Sequence, residues 1–353
     1  MDLKNTSAPK EPVGVIGAGS FGTVLANLLA ENRQVLLYAR RPEVAERIMR
    51  ERAWEGQAIH PQVTVTTDLA RVAGECELLF PVVPSEFFRE MIRKFAPHLR
   101  PWHKVIHGTK GLDVDLSEGT SLDTVRRLRR AQVHTMSEVI RQETMVVRIG
   151  CIAGPNLAGE IGEGQPAATV VASRFDEVIR EVTNALRSSM FRVHGNHNLL
   201  GVELAGVLKN IMAIASGILE GLGYGENTRG LLITRGLAEM IHIGTALGAE
   251  VQPFLGLAGI GDLVATCHSR RSRNFNVGYR LAQGEPLESI MASMDEVAEG
   301  IKTVRIIHAL TAEHKITAPI ALSLYRTLFE GMDIAKGVRL LMEYPFTEDV
   351  EYL

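Results

Sequence analysis

The stretch Val13-Gly14-Val15-Ile16-Gly17-Ala18-Gly19-Ser20-Phe21-Gly22 constrains the fold of this chain more than any other. An apolar run leads into Gly-x-Gly-x-x-Gly, and helix-forming residues follow from Thr23 to Asn32. Gln34-Val35-Leu36-Leu37-Tyr38-Ala39 then reads as a second strand. This order predicts a strand, a tight turn at Gly17 and a helix packed close through Gly22. Gly19 leaves no side chain between the backbone and a bound pyrophosphate. The free N–H groups and positive end of the helix dipole face the same phosphates. Alone, the glycines also suit an ordinary glycine-rich turn. The strand–helix–strand setting favours a dinucleotide site.

The end of the second strand bears on which dinucleotide. An acid there binds ribose hydroxyls, whereas arginine accommodates a 2′-phosphate. This chain has Arg40-Arg41 and no acid before Glu43. Two guanidiniums favour the phosphate by charge and by paired hydrogen bonds, which points to NADPH over NADH. The other reading is a solvated pair starting a surface helix at Pro42.

With 353 residues, the chain is long enough for two domains. Its net charge of −3 gives no reason to expect a nucleic-acid partner. No apolar run approaches the length needed to cross a membrane. Residues 1–12 are polar, carry Pro9 and Pro12, and read as a frayed end without a signal-peptide core. Cys76, Cys151 and Cys267 are odd in number and lack Cys-x-x-Cys spacing. Neither disulfides nor a metal site is expected, and the cytoplasm is the natural compartment. Cys76 and Cys151 read as core residues. Cys267 stands in a polar segment that could border a site.

Strand-like runs at 76–83, 104–107, 145–152, 167–172 and 191–194 alternate with helical patterns. The alternation predicts an α/β fold, a doubly wound Rossmann sheet. From Leu199 onward helical periodicity replaces it. The expected organisation is a dinucleotide-binding domain over 1–194 and an all-helical substrate domain over 195–353. Residues 113–144 are charged, rich in Arg and without an obvious strand. They read as a surface helix pair inserted between two sheet strands.

Ligands in such folds lie beyond the carboxyl ends of the strands. Val83-Pro84-Ser85, Thr109-Lys110-Gly111 and Gly154-Pro155-Asn156 end there beside the Gly17 loop. Lys110 is either a substrate cation or a solvated turn lysine. Lys209 stands within the apolar run 204–215. An ammonium buried there has a lowered pKa and suits a general acid. Alternatively it snorkels to solvent, or pairs with Glu203, two turns earlier at most. In Gly256-Leu257-Ala258-Gly259-Ile260-Gly261-Asp262, three glycines imply a tight loop presenting Asp262, as a turn cap or as a functional carboxylate. His268-Ser269-Arg270-Arg271-Ser272-Arg273-Asn274 reads as a phosphate site at a helix start or as a basic surface patch.

Taken in order, these pieces resemble the NAD(P)-dependent glycerol-3-phosphate dehydrogenases of the bacterial biosynthetic type. Those at Gly17–Thr23, Val82–Ser85, Thr109–Leu112 and Gly154–Asn156 are joined by Gly201–Leu204, Leu208–Ile211, Thr234–Met240, Gly256–Leu263, Ser272–Asn274 and Glu299-Gly300. Each is weak; the ordered set, spanning roughly 13–320, is specific. The resemblance implies a Rossmann domain followed by a helical domain, usually in a homodimer. It implies reversible reduction of dihydroxyacetone phosphate to sn-glycerol 3-phosphate with NADPH or NADH, supplying glycerophospholipid synthesis. By the same resemblance Lys209 would donate the proton, Lys110 would orient substrate and touch cofactor, and Asp262 would support both lysines. Ser272, Arg273 and Asn274 would hold the phosphate, Arg273 also meeting the cofactor. Gly154 and Asn156 would line the substrate pocket. Ser20, Phe21, Arg40, Arg41, Ala158, Val297 and Glu299 would bind cofactor with Gly17, Gly19 and Gly22. The chain departs from the family in the longer 113–144 segment and in Gly195-Asn196-His197-Asn198, where many members carry an Asp. A dehydrogenase of another 2-keto or sugar acid is the rival. It would want a carboxylate-binding Arg but not Ser272-Arg273-Asn274. A dinucleotide-sensing regulator would have no use for Lys110, Lys209 and Asp262 together.

Overall fold

The computed structural model describes residues 11–117, 119–294 and 297–344, so most of the segment expected to fray lies outside it. Strand β1 (Val13–Ile16), helix α1 (Ser20–Ala30) and β2 (Val35–Tyr38) form the expected first unit. Then come α2 (Pro42–Glu51), a small hairpin of β3 (Ala53–Trp54) and β4 (Gln57–Ala58), β5 (Val63–Thr66), α3 (Leu69–Glu75), β6 (Leu78–Pro81), α4 (Ser85–Phe95) and β7 (Lys104–His107). The chain continues through β8 (Asp113–Val114), β9 (Val133–His134), α5 (Met136–Glu143), β10 (Arg148–Ala153), α6 (Ala158–Gly162), β11 (Ala167–Ser173), α7 (Asp176–Leu186) and β12 (Phe191–Asn196).

Eight strands make one sheet in the order β12-β11-β10-β7-β6-β1-β2-β5, with only β10–β11 antiparallel. From β1 the chain winds outward to β5, then returns to lay β6 on the other side of β1. That reversal opens a crevice at the carboxyl ends of β1 and β6. The central strands are buried on both faces, as their continuous apolar runs require. Strand β5 was missed in the sequence, because Val63-Thr64-Val65-Thr66 offers only four alternating residues.

Helices fill the rest: α8 (Leu199–Gly221), α9 (Glu226–Ala246), α10 (Gln252–Leu255), α11 (Asp262–His268), α12 (Arg273–Ala282), α13 (Leu287–Ala292), α14 (Glu299–His314), α15 (Pro319–Phe329) and α16 (Ile334–Met342). We place the division between the two parts at His197-Asn198, after β12, where the Asn198 side chain caps α8 by accepting from Gly201 N–H at 2.7 Å. Contrary to expectation, one helix among the described residues is long and apolar enough to cross a membrane. It is α8, with mean hydropathy 1.6 over a window that is 94% buried inside the protein. Its apolarity on all sides belongs to a core helix.

Among the described residues of 113–144, the expected helix pair does not form. The segment makes a β8–β9 ladder, short 3₁₀ turns and the single helix α5, and buries Leu128, Val133, Met136, Val139 and Ile140. The arginines that gave it a solvated look have partners. Arg130 pairs with Glu138 at 2.7 Å, and Arg126 Nη1 donates to the Tyr325 hydroxyl at 2.5 Å. Leu128 N–H donates to Ala309 O at 3.0 Å, so the segment straps the sheet region to α14. All three cysteines are free and buried. Cys267 is therefore a core residue despite its polar neighbours, and burial pushes its thiol up to about 12.

Candidate active site

A cleft of about 900 Å³ lies at the strand ends between the sheet and the helices. Its cofactor side is built from backbone. Gly17 has φ +124°, which only glycine adopts without strain. A Cβ at Gly22 would overlap the carbonyl oxygen of Gly17, so the helix can approach only because no side chain is there. Gly19 precedes α1, whose first turn carries no acid to repel a phosphate. These are the features a dinucleotide pyrophosphate needs, and the residues present fit one. Gly19, Ser20, Phe21, Ala158 and Val297 line the same cleft.

Arg40 and Arg41 stand at its rim, exposed. The Arg40 guanidinium lies 5.7 Å from the centre of the Phe87 ring. Arg41 precedes Pro42 at the start of α2 and lies 4.0 Å from Glu43. Trp54, from the unforeseen β3–β4 hairpin, donates its indole N–H to Ala18 O at 2.7 Å and so braces the glycine loop.

Opposite lies the charged floor. Lys209, on α8, is buried and does not snorkel. Its ammonium is 3.0 Å from Asp262 Oδ1 and donates to Thr266 Oγ1 at 2.5 Å. Lys110, just beyond β7, donates to Asp262 Oδ2 at 2.5 Å and to Gly154 O at 3.0 Å. One carboxylate thus carries a lysine on each oxygen. Burial lowers the Lys209 pKa from 10.5 to about 8; Asp262 opposes that shift and Lys110 adds to it. Burial alone would raise Asp262, but the two lysines outweigh it and hold the carboxyl below its ordinary range.

Asp262 is not in a loop, as the glycines suggested. Residues Leu257–Gly261 form one wide i→i+5 turn, with Gly261 N–H donating to Gly256 O at 3.2 Å, and Asp262 opens α11. That placement puts Thr266 one turn on, where its hydroxyl donates to Asp262 Oδ1 at 3.2 Å. Thr266 was missed, although the i, i+4 spacing from Asp262 was readable. Asn210 was also missed. It lines the cleft and donates to Lys110 O at 3.2 Å. Glu203 does not pair with Lys209; it meets His107 instead, at 2.8 Å.

Ser272 caps α12, accepting from Phe275 N–H at 3.3 Å, and Arg273 and Asn274 follow in its first turn. All three line the cleft. Arg273 donates to Val297 O at 3.1 Å, and Asn274 Oδ1 accepts from Gly300 N–H at 2.9 Å, leaving its amide NH₂ as a donor. The neighbouring arginines are engaged elsewhere: Arg270 with Glu220 at 3.0 Å and Arg271 with Glu163 at 2.9 Å. Glu299 accepts from Ser85 N–H at 2.7 Å and from the Ser85 hydroxyl, tying the start of α14 to the start of α4. Burial raises its pKa, partly offset by Ser85. Gly154 has φ +145°, and Asn156 donates to Thr169 Oγ1 at 2.8 Å. Thus the cleft gathers every site residue singled out from the sequence, except that Gly154 and Asp262 enter through their bonds to Lys110.

Comparison with known proteins gives a consistent picture. Residues 12–179 match the model for the N-terminus of NAD-dependent glycerol-3-phosphate dehydrogenase, and residues 198–339 match its C-terminus. The chain is 41% identical over 349 residues to a glycerol-3-phosphate dehydrogenase [NAD(P)+] of Pseudomonas aeruginosa, covering 98% of each. Among solved structures it resembles glycerol-3-phosphate dehydrogenase from Coxiella burnetii, with TM-score 0.83 and 32% identity over 95% of this chain and 99% of that one. A ketopantoate reductase from Ralstonia eutropha shares the fold alone, at TM-score 0.54 and 16% identity over 93% and 99%.

Proposed function

The chain belongs to the NAD-dependent glycerol-3-phosphate dehydrogenase family, and from that premise we propose how its own residues divide the reaction. It is an NAD(P)-dependent oxidoreductase that reduces dihydroxyacetone phosphate to sn-glycerol 3-phosphate, reversibly. The observation that carries the division of labour is one buried carboxylate, Asp262, bridging Lys110 and Lys209.

The bound nicotinamide supplies the hydride. Everything else falls to the chain. The first turn of α1 and the Gly17 loop hold the pyrophosphate, while Arg40 and Arg41 receive a 2′-phosphate. Ser272, Arg273 and Asn274 grip the substrate phosphate with a helix N-terminus, a guanidinium and an amide. Lys110 orients the ketone. Negative charge grows on the C2 oxygen as the C2–H bond forms, and Lys209 donates its proton there, leaving a neutral amine that solvent recharges. A lysine with pKa about 8 is still mostly protonated at pH 7 yet releases its proton far more readily than an ordinary one. Asp262 and Thr266 keep the ammonium aimed.

The rival substrate, a 2-keto or sugar acid, has no need of the Ser272-Arg273-Asn274 set. Turnover of phosphorylated and unphosphorylated dihydroxyacetone separates the readings: the phosphorylated ketone is expected to win, and equal turnover would remove the phosphate assignment. Three free, buried cysteines suit the reducing cytoplasm. We further assign the product to glycerophospholipid synthesis and the active form to a homodimer, as the family resemblance implies. Light scattering on the purified protein tests the latter.

A further inference from the structure

Helix α8 carries a buried acid that the reaction does not use, Glu203. Glu203 Oε1 lies 2.8 Å from His107 Nε2 and accepts from Ser137 N–H at 2.8 Å. Its Oε2 accepts from the Ser137 hydroxyl at 2.6 Å. Burial pushes this carboxyl up, but His107 and Ser137 outweigh it, so it stays ionised below its ordinary range. His107 Nδ1 is buried without a partner, so among the described residues Glu203 supplies the ring's hydrogen bond.

These contacts are not scattered. Glu203, Gly206 and Asn210 follow i, i+3, i+7 spacing and share one stripe of α8. Each meets the run leaving β7. Glu203 holds His107 at its start. A Cβ on Gly206 would stand 3.7 Å from Lys110 Cγ, ordinary contact distance, so the Lys110 stem packs against the helix there. Asn210 holds the Lys110 carbonyl. Lys209 projects from the same turn of the same helix, and Ser137 belongs to α5 within the 113–144 segment.

We propose that Glu203 is a positioning residue: through His107 it fixes the run that bears Lys110, through its own helix it fixes Lys209, and through Ser137 it locks the 113–144 segment behind both. It thereby sets the spacing of the two lysines about Asp262. This gives the long segment a role as the backing of a three-point clamp. The proposal rests on the reading of Lys110 and Lys209 given above.

Glu203→Gln keeps the shape and removes the charge; Ser137→Ala removes one donor and leaves His107 in place. Three readouts are taken on each folded variant. NADPH affinity should stay within about twofold, since Glu203 touches no cofactor wall. The kcat with dihydroxyacetone phosphate should fall about 10-fold in Glu203→Gln, with KM rising, because ~1 Å of misplacement can cost 10²-fold; Ser137→Ala should move both the same way by less. The third readout needs no substrate: the pH dependence of Lys209 carbamylation by cyanate, read by mass spectrometry. The groups facing Lys209 are Asp262 and Cys267 on α11 and Lys110. If Lys110 drifts, its repulsion weakens and the midpoint rises above about 8. A lower Tm with kcat, KM and the Lys209 midpoint unchanged would overturn the clamp and leave a structural role. If Glu203→Gln does not fold, the same criteria decide on Ser137→Ala. If wild type ignores dihydroxyacetone phosphate, the substrate reading fails, and the Lys209 midpoint still decides the clamp.

Discussion

The rim and the floor of the cleft hold the same kinds of charge and use them differently. At the rim, Arg41 and Glu43 lie 4.0 Å apart with side chains 64% and 70% exposed. At the floor, Lys209 and Asp262 lie 3.0 Å apart and are 7% and 3% exposed. Water and salt screen the first pair, which contributes little until a ligand phosphate arrives. The second pair is set before any ligand binds, because burial has already moved the lysine to about 8. In the proposed division of labour, exposed charge selects and buried charge reacts. Glycines at the Gly17 loop complete the contrast, since they offer the cleft only backbone and carry no titratable group at all.

The largest effect should come from the floor. Lys209→Met is expected to bind NADPH almost normally and to lose at least about 10²-fold in kcat, the usual scale of general acid catalysis. Near-native kcat would erase the contrast and hand the proton to Lys110 or water. Lys110→Met should act mainly on KM, which a kcat-to-KM comparison reads directly.

Next in size is the phosphate grip. Arg273 is exposed in the free protein. Arg273→Ala should therefore cost about 1.5–3 kcal/mol of preference for dihydroxyacetone phosphate over dihydroxyacetone, the range for a hydrogen bond to a charged group. Competition kinetics with the two ketones measures it. Thr266→Val removes one buried hydrogen bond to Lys209, worth ~1–2 kcal/mol, so kcat should fall about 10-fold. An unchanged kcat would mean that Asp262 alone aims the ammonium.

The rim should give the smallest change in chemistry and the clearest change in choice. Wild type is expected to prefer NADPH by kcat/KM, and Arg40→Asp should shift that preference toward NADH with kcat little altered. If wild type shows no preference, Arg40 and Arg41 are only a solvated pair.

Much of this was legible in the sequence, for physical reasons that can be named. Gly17 and Gly22 sit in a local β-turn-α unit whose geometry fixes the residue type. Lys209 stood out because a cation in an apolar helix costs free energy unless something uses it. What stayed hidden was set by tertiary pairing. The i, i+6 spacing already puts Lys209 about 120° round the helix from Glu203, too far to pair. What nothing local says is that Glu203 turns to His107, 96 residues away. The 113–144 segment looked solvated because its arginines find partners such as Tyr325 only after the helices assemble. Asp262 looked like a loop residue because a glycine-rich wide turn and a helix start share a composition.

The most direct measurement is the pH dependence of kcat/KM for dihydroxyacetone phosphate reduction, from pH 6 to 10, because kcat/KM reads the acid of the free site. The general acid must be protonated to act, so kcat/KM should hold below and fall above about pH 8, by about tenfold per unit once past it. Oxidation of glycerol 3-phosphate should show the opposite limb, rising through the same range. A reduction rate that stays level to pH 10 is what an ordinary, solvated lysine would give, and it would contradict a buried Lys209 as the proton donor.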